Sequence, residues 1–158
     1  MSNDGRERER KRILVINDTQ EILELFKLIL EEEAGHEVIL DSYRPQMMEI
    51  IKEIKPDLII SDHVFGEEKI GWQLVQRLKM DRQTATIPMI VCSGAVHELK
   101  EMEGHLMAKG IGVLYKPFDV DELLSLVESK LLTEEAVEQQ YRERTADELP
   151  HAPGQTNQ

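Results

Sequence analysis

The feature that most constrains the fold is a set of short apolar runs, each four or so residues long, spaced along the chain and separated by amphipathic segments. Ile13-Leu14-Val15-Ile16, Leu58-Ile59-Ile60, Met89-Ile90-Val91-Cys92 and Gly112-Val113-Leu114-Tyr115 are nearly continuous in apolar character rather than alternating with polar residues. A strand with that pattern needs cover on both faces, which a parallel sheet flanked by helices provides. Val38-Ile39-Leu40 reads as one more short strand. The segments between the strands have helical periodicity. Ile22, Leu23, Leu25, Phe26, Ile29 and Leu30 mark one helix over 19–33, with Thr19 as its N-cap and Gly35 as its stop. A second opens at Pro45 and carries Met47, Met48, Ile50, Ile51 and Ile54. A third covers about 71–80, a fourth about 97–109 with Gly110 ending it, and a fifth is capped by Asp119. Five strands alternating with five helices predict an α/β sheet with both faces covered.

In an open parallel sheet, the crevice at the carboxyl ends of the strands is where ligands bind. The first strand runs into Asn17-Asp18, the third into Ser61-Asp62, the fourth into Ser93-Gly94 and the fifth into Lys116-Pro117. Two acids, an amide, a hydroxyl and a lysine are thereby brought to one edge. That set suits a divalent metal and a phosphoryl group. The first strand–helix turn, Asn17-Asp18-Thr19-Gln20, has no glycine-rich phosphate loop, so dinucleotide binding is not expected.

Composition excludes other classes. The 158 residues suit one domain, and a formal charge of −12 argues against general nucleic-acid binding. Residues 6–12 are basic but interleaved with Glu7 and Glu9, and 1–11 read as a flexible charged leader. Cys92 is the single cysteine and lies within an apolar strand, which reads as a small core residue. No secretory signal is visible and no stretch approaches the roughly 18 apolar residues of a membrane span, so a cytoplasmic protein without a membrane partner is expected. Residues 133–158 read as an acidic tail, partly helical or disordered, leaving 12–132 as the folded domain. The 26 residues after Leu132 are too few for a DNA-binding output domain.

From about Lys11 to Leu132 the chain resembles a receiver domain of two-component response regulators, of the single-domain, chemotaxis-regulator kind. The resemblance rests on Ile13-Leu14-Val15-Ile16-Asn17-Asp18, Pro56-Asp57-Leu58-Ile59-Ile60-Ser61-Asp62, Ile87-Pro88-Met89-Ile90-Val91-Cys92-Ser93-Gly94 and Lys109-Gly110 followed by Tyr115-Lys116-Pro117-Phe118, in that order and spacing. It implies a flavodoxin-like, doubly wound five-stranded parallel sheet of order 2-1-3-4-5 with five helices. It implies that Asp62 accepts a phosphoryl group from a histidine kinase or phosphotransfer protein, with Mg²⁺ as the cofactor. Asp18 and Asp62 would ligate the metal directly, Val64 through its backbone carbonyl and Asn17 through water. Ser93 would follow the phosphoryl group and Lys116 would pair with it. The domain would be a regulatory phosphoacceptor rather than an enzyme, a monomer or weak dimer. A downstream protein partner would bind the face made by the fourth helix, fifth strand and fifth helix.

The chain also departs from that pattern. Asn17 stands where the family usually has a second acid, so the pocket holds two carboxylates and is expected to bind Mg²⁺ more weakly. The loop from His63 to Gly71 has Gly66 in place of a common proline and is one residue longer, with Glu67 and Glu68 within it. Val113 occupies the place of an aromatic that often changes rotamer, which points to a signal carried by backbone movement of the fourth helix. The alternative function is a degenerate receiver, never phosphorylated, that serves only as an interaction module.

Overall fold

The computed structural model describes residues 10–62 and 70–132, and of Ile70 and Gly71 only the backbone. Within these residues the chain alternates as its apolar pattern predicts: β1 (Arg12–Ile16), α1 (Gln20–Leu28), β2 (Glu37–Asp41), α2 (Met47–Ile54), β3 (Leu58–Ser61), α3 (Ile70–Met80), β4 (Met89–Ser93), α4 (Val96–Ala108) and β5 (Ile111–Tyr115). A last helix, α5, covers 120–132. All strand pairs are parallel and the sheet order is 2-1-3-4-5, with Ile13 opposite both Val38 and Leu58. This is the flavodoxin-like architecture.

Because side chains alternate across a strand, each apolar run feeds both faces of the sheet. Leu14, Ile16, Ile59, Met89 and Val91 point to one side, where Met47 and Ile51 of α2, Leu74, Val75 and Leu78 of α3 and Leu99 and Leu106 of α4 cover them. Ile13, Val15, Leu58, Ile60, Ile90 and Cys92 point to the other, against Leu23 and Phe26 of α1 and Leu123 and Val127 of α5. Fully burying one such side chain contributes about 1.5–3 kcal/mol, so the two layers account for the strands' lack of polar positions. Cys92 is a buried core residue, and desolvation pushes its thiol up to about 12.

The helix ends follow their sequence signals, with two refinements. α1 passes into a π-helical turn at Ile29–Glu33 before Gly35, at φ +74°, accepts the reversal. The His36 N–H then bonds the Leu30 carbonyl and the Gly35 N–H the Glu31 carbonyl, satisfying carbonyls the helix leaves open. Thr19 is at the N-cap position of α1, but its side chain makes no cap bond. At α5 the cap is reciprocal: the Glu122 N–H donates to Asp119 Oδ1 at 2.8 Å, and the Asp119 N–H to Glu122 Oε1 at 3.1 Å. Gly110, at φ +78°, turns the chain from α4 into β5. The expected leader and acidic tail fall almost wholly outside the described residues.

Candidate functional site

The register of the sheet gathers the predicted residues at its carboxyl edge. Asp62 directly follows β3, its N–H bonded to the Ile16 carbonyl at the end of β1. Lys116 directly follows β5, its N–H bonded to the Ser93 carbonyl at the end of β4. Two side-chain donors converge on one Asp62 oxygen. Lys116 Nζ lies 2.5 Å from Oδ2, and Asn17 Nδ2 donates to the same atom at 2.8 Å. Asp62 and Asn17 are buried and Lys116 half-buried, so the carboxylate meets an ammonium and an amide donor inside a partly desolvated crevice.

The amide orientation of Asn17 follows from its other contact. The Thr19 backbone N–H, which can only donate, is 2.8 Å from Asn17 Oδ1, so the NH₂ end faces Asp62. In this arrangement the amide oxygen serves the turn into α1, and the pocket receives a donor from position 17. Asp18 is exposed at the rim, and its charge, with that of Asp62, acts on the same Tyr43 hydroxyl.

Ser93 is buried, and its Oγ accepts the Ala95 N–H at 3.0 Å, in the turn leading into α4. The hydroxyl therefore links the end of β4 to the start of α4. Val64, His63, Gly66, Glu67 and Glu68 lie outside the described residues.

One residue at this edge has no counterpart in the sequence reading. Tyr43, two residues beyond the end of β2, reaches across β1 so that its hydroxyl bonds Ser61 Oγ and donates to the Asp62 backbone carbonyl. Burial, the largest effect, pushes its phenol well above the usual tyrosine range; the Ser61 bond opposes it, and the nearby Asp62 and Asp18 charges add smaller upward pushes. No motif marks such a tyrosine, because its place depends on β2 and β3 both flanking β1. At the far side, Tyr115 shares with Val113 the sheet face that packs on α4, and its hydroxyl donates to Glu103 Oε1 of that helix at 2.6 Å. An aromatic thus stands two residues after the position where Val113 replaces one.

A hard divalent cation takes oxygen ligands, and Mg²⁺ is commonly held by one or two carboxylates together with phosphate oxygens. Asp18 and Asp62 supply that number. Among the described residues no group of three or more His, Cys, Asp or Glu side chains is arranged to hold a metal, in keeping with the amide at position 17. The donor chemistry fits Mg²⁺ through two acids.

A parallel α/β sheet thus carries a clamped aspartate, a lysine and a hydroxyl together at its carboxyl edge. Residues 13–128 match the family of the response regulator receiver domain, and the chain belongs to it. The DNA-binding regulator RpaA of Synechocystis is 32% identical over 76% of this chain and 48% of its own length. PilH of Pseudomonas aeruginosa is 27% identical over 76% of this chain and 97% of its own. The crystal structure of the chemotaxis response regulator CheY4 of Vibrio cholerae superposes with a TM-score of 0.63 at 26% identity, covering 76% of this chain and 98% of that one. The chain spans about half the length of the first of these relatives. It is thus a regulatory domain of two-component signalling. Among the described residues, no helix is long and apolar enough to cross a membrane.

Proposed function

We propose that this domain is a phosphorylation switch in which Asp62 takes a phosphoryl group from a phosphohistidine of a kinase or phosphotransfer protein. The observation that carries the reading is the convergence of Lys116 and Asn17 on Asp62 Oδ2. In the reaction an Asp62 carboxylate oxygen attacks phosphorus, the P–N bond breaks, and its electron pair leaves with the imidazole nitrogen. Both reacting groups are anionic, so positioning and charge neutralisation carry the catalysis. Mg²⁺ held by Asp18, Asp62 and the Val64 carbonyl would neutralise charge on the transferring oxygens. Lys116, already at the carboxylate, shifts its ammonium to a phosphoryl oxygen once the acyl phosphate has formed. Ser93 turns its side chain to donate its O–H to another, so that its Oγ leaves the Ala95 N–H from which it accepts in the turn. That exchange frees the start of α4 and changes the α4–β5–α5 face, the surface offered to a downstream protein.

A protein donor must seat itself beside the acceptor. An apolar groove of about 460 Å³, lined by Leu25, Phe26, Ile29, Pro117, Phe118 and Val120, adjoins Lys116. Leu25 and Val120 are 45% and 41% exposed there, a suitable seat for the donor's apolar surface. In this reading the domain works in the cytoplasm, as a monomer or weak dimer, without contacting nucleic acid itself. It assists its own phosphorylation and dephosphorylation but acts on no other substrate.

The test is incubation with acetyl phosphate, and separately with beryllofluoride, in 10 mM Mg²⁺. A phosphoryl adduct by intact-mass spectrometry and amide shifts at Ser93 and in α4 are expected, both lost in Asp62→Asn. No adduct and an unchanged spectrum would leave the phosphorylation-independent interaction module as the function.

A further inference from the structure

Asp62 is the first residue beyond the sheet, since the pairings of β3 with β1 and with β4 both end at Ser61. Its N–H reaches back to the Ile16 carbonyl at 3.1 Å, and its carboxylate meets Lys116 and Asn17. The carbonyl side of its main chain is held by the turn between β2 and α2, through Tyr43.

Ser61 Oγ donates to the Asp62 carbonyl at 3.0 Å, which already gives this buried residue's oxygen a partner. The Tyr43 hydroxyl donates to the same carbonyl and bonds the same Ser61 Oγ. A second donor brought from another strand's end adds little to satisfying that oxygen. What it adds is a tether. The phenol, pushed upward by burial, stays protonated at neutral pH and so keeps its O–H to give.

The turn that carries Tyr43 is itself stapled. Asp41, the last residue of β2, accepts the Ser42 N–H at 2.8 Å and two guanidinium donors of Arg44 at 3.0 and 2.8 Å. The Met47 N–H closes onto the Arg44 carbonyl at 3.1 Å, at the start of α2. The neighbours of Tyr43 on both sides are thus fixed to β2 and α2, and the ring packs on the core layer beneath those helices. The Asp41 carbonyl also accepts the Asn17 N–H at 3.0 Å, so the same turn is tied to the residue whose amide meets Asp62.

We propose that Tyr43 is a positioning residue for phosphoryl transfer: by fixing the Asp62 main chain at its carbonyl, it holds the carboxylate in line for attack on phosphorus. The proposal rests on the reading of Asp62 as the acceptor. Misplacing a reacting group by about 1 Å can cost roughly 100-fold in rate. Removing the Tyr43 hydroxyl leaves Asp62 its N–H bond and the Ser61 donor, so a loss of about tenfold is expected. Tyr43 touches the main chain rather than the incoming group, so the loss falls on the maximal rate and not on the half-saturating donor concentration.

The test is phosphorylation of the full chain by acetyl phosphate at saturating Mg²⁺, in which an Asp62 oxygen attacks phosphorus and acetate leaves with the electron pair of the broken P–O bond. Rates are followed by intact-mass spectrometry over a range of acetyl phosphate concentrations, on chains shown to be folded by their ¹H–¹⁵N spectra. In Tyr43→Phe the maximal rate constant should fall about tenfold at an unchanged half-saturating concentration. Arg44→Gln, which keeps the hydroxyl but loosens the staple, should show a smaller fall of the same kind. Ile111→Val removes a core methyl where β5 begins, controls for lost stability alone, and should keep the wild-type rate. A wild-type rate in Tyr43→Phe, a rise in its half-saturating concentration instead, or equal slowing in Ile111→Val would overturn the proposal while leaving Asp62 as the acceptor. A wild-type chain that takes no phosphoryl group would overturn the acceptor reading and the proposal with it.

Discussion

Position 17 offers the sharpest test of how the acceptor crevice is balanced. In Asn17→Asp, the donor 2.8 Å from Asp62 Oδ2 becomes a second carboxylate. Even if the two groups relax to about 4 Å, their repulsion at an effective dielectric of 20 is about 4 kcal/mol. Protonating one of them at pH 7 is the escape, and from an ordinary aspartate value that costs about 4 kcal/mol as well, at about 1.4 kcal/mol per pH unit. Lys116, which already touches Oδ2, attracts both carboxylates and offsets part of this. A net loss of about 3 kcal/mol follows for the metal-free variant at pH 7.

The sign of the pH dependence is set. The folded variant holds a proton more tightly than the unfolded chain does. The deficit is therefore small near pH 4 and grows as pH rises through the folded pair's titration, with about 1.5 kcal/mol expected at pH 5. Mg²⁺ acts in the opposite sense, since two carboxylates plus Asp18 bind it more tightly than the wild-type pair. Urea unfolding at pH 5 and pH 7, in EDTA and in 10 mM Mg²⁺, measures all four terms. Wild-type stability in EDTA at both pH values, or a deficit indifferent to Mg²⁺, would refute the account of Asn17 as the neutral donor that spares the crevice a second carboxylate.

Three further outcomes are expected. Tyr43→Phe removes the hydroxyl from Ser61 and the Asp62 carbonyl and should cost about 1–2 kcal/mol in urea unfolding, without unfolding the domain. The Glu103 carboxylate, which accepts from the Tyr115 phenol, pushes that phenol up to about 12, so the bond stabilises the fold fully below about pH 10 and is lost as pH rises toward 12. The stability gap between wild type and Tyr115→Phe should accordingly close over that interval, and a pH-independent gap would show that packing alone separates them. Leu25→Lys, in the groove beside Lys116, should slow phosphoryl transfer from a protein donor severalfold while leaving the rate with acetyl phosphate unchanged; equal slowing with both donors would place its effect in the crevice itself.

The elements and the chemistry at the strand ends are local properties, and they are legible in the chain. Continuous apolar runs announce buried parallel strands whatever their neighbours. An Asp or Lys directly after such a run comes to the carboxyl edge because a strand has only one such end. That is why the sequence alone places Asp62, Ser93 and Lys116 at that edge, and why its five-strand alternation matches the sheet observed.

Contacts between residues far apart in sequence are another matter, since they depend on strand order and on the direction of individual side chains. Asn17 reads as a missing acid, yet its amide faces Asp62 because the Thr19 N–H claims the oxygen. Tyr43 belongs to no motif, yet it bonds the end of β3 because β2 and β3 flank the same strand. Lys11, Lys79, Lys109 and Lys130 are scattered along the chain, yet they line one cavity at the other pole of the sheet. Periodicity places a residue on a face; only closure of the sheet brings distant faces and ends together.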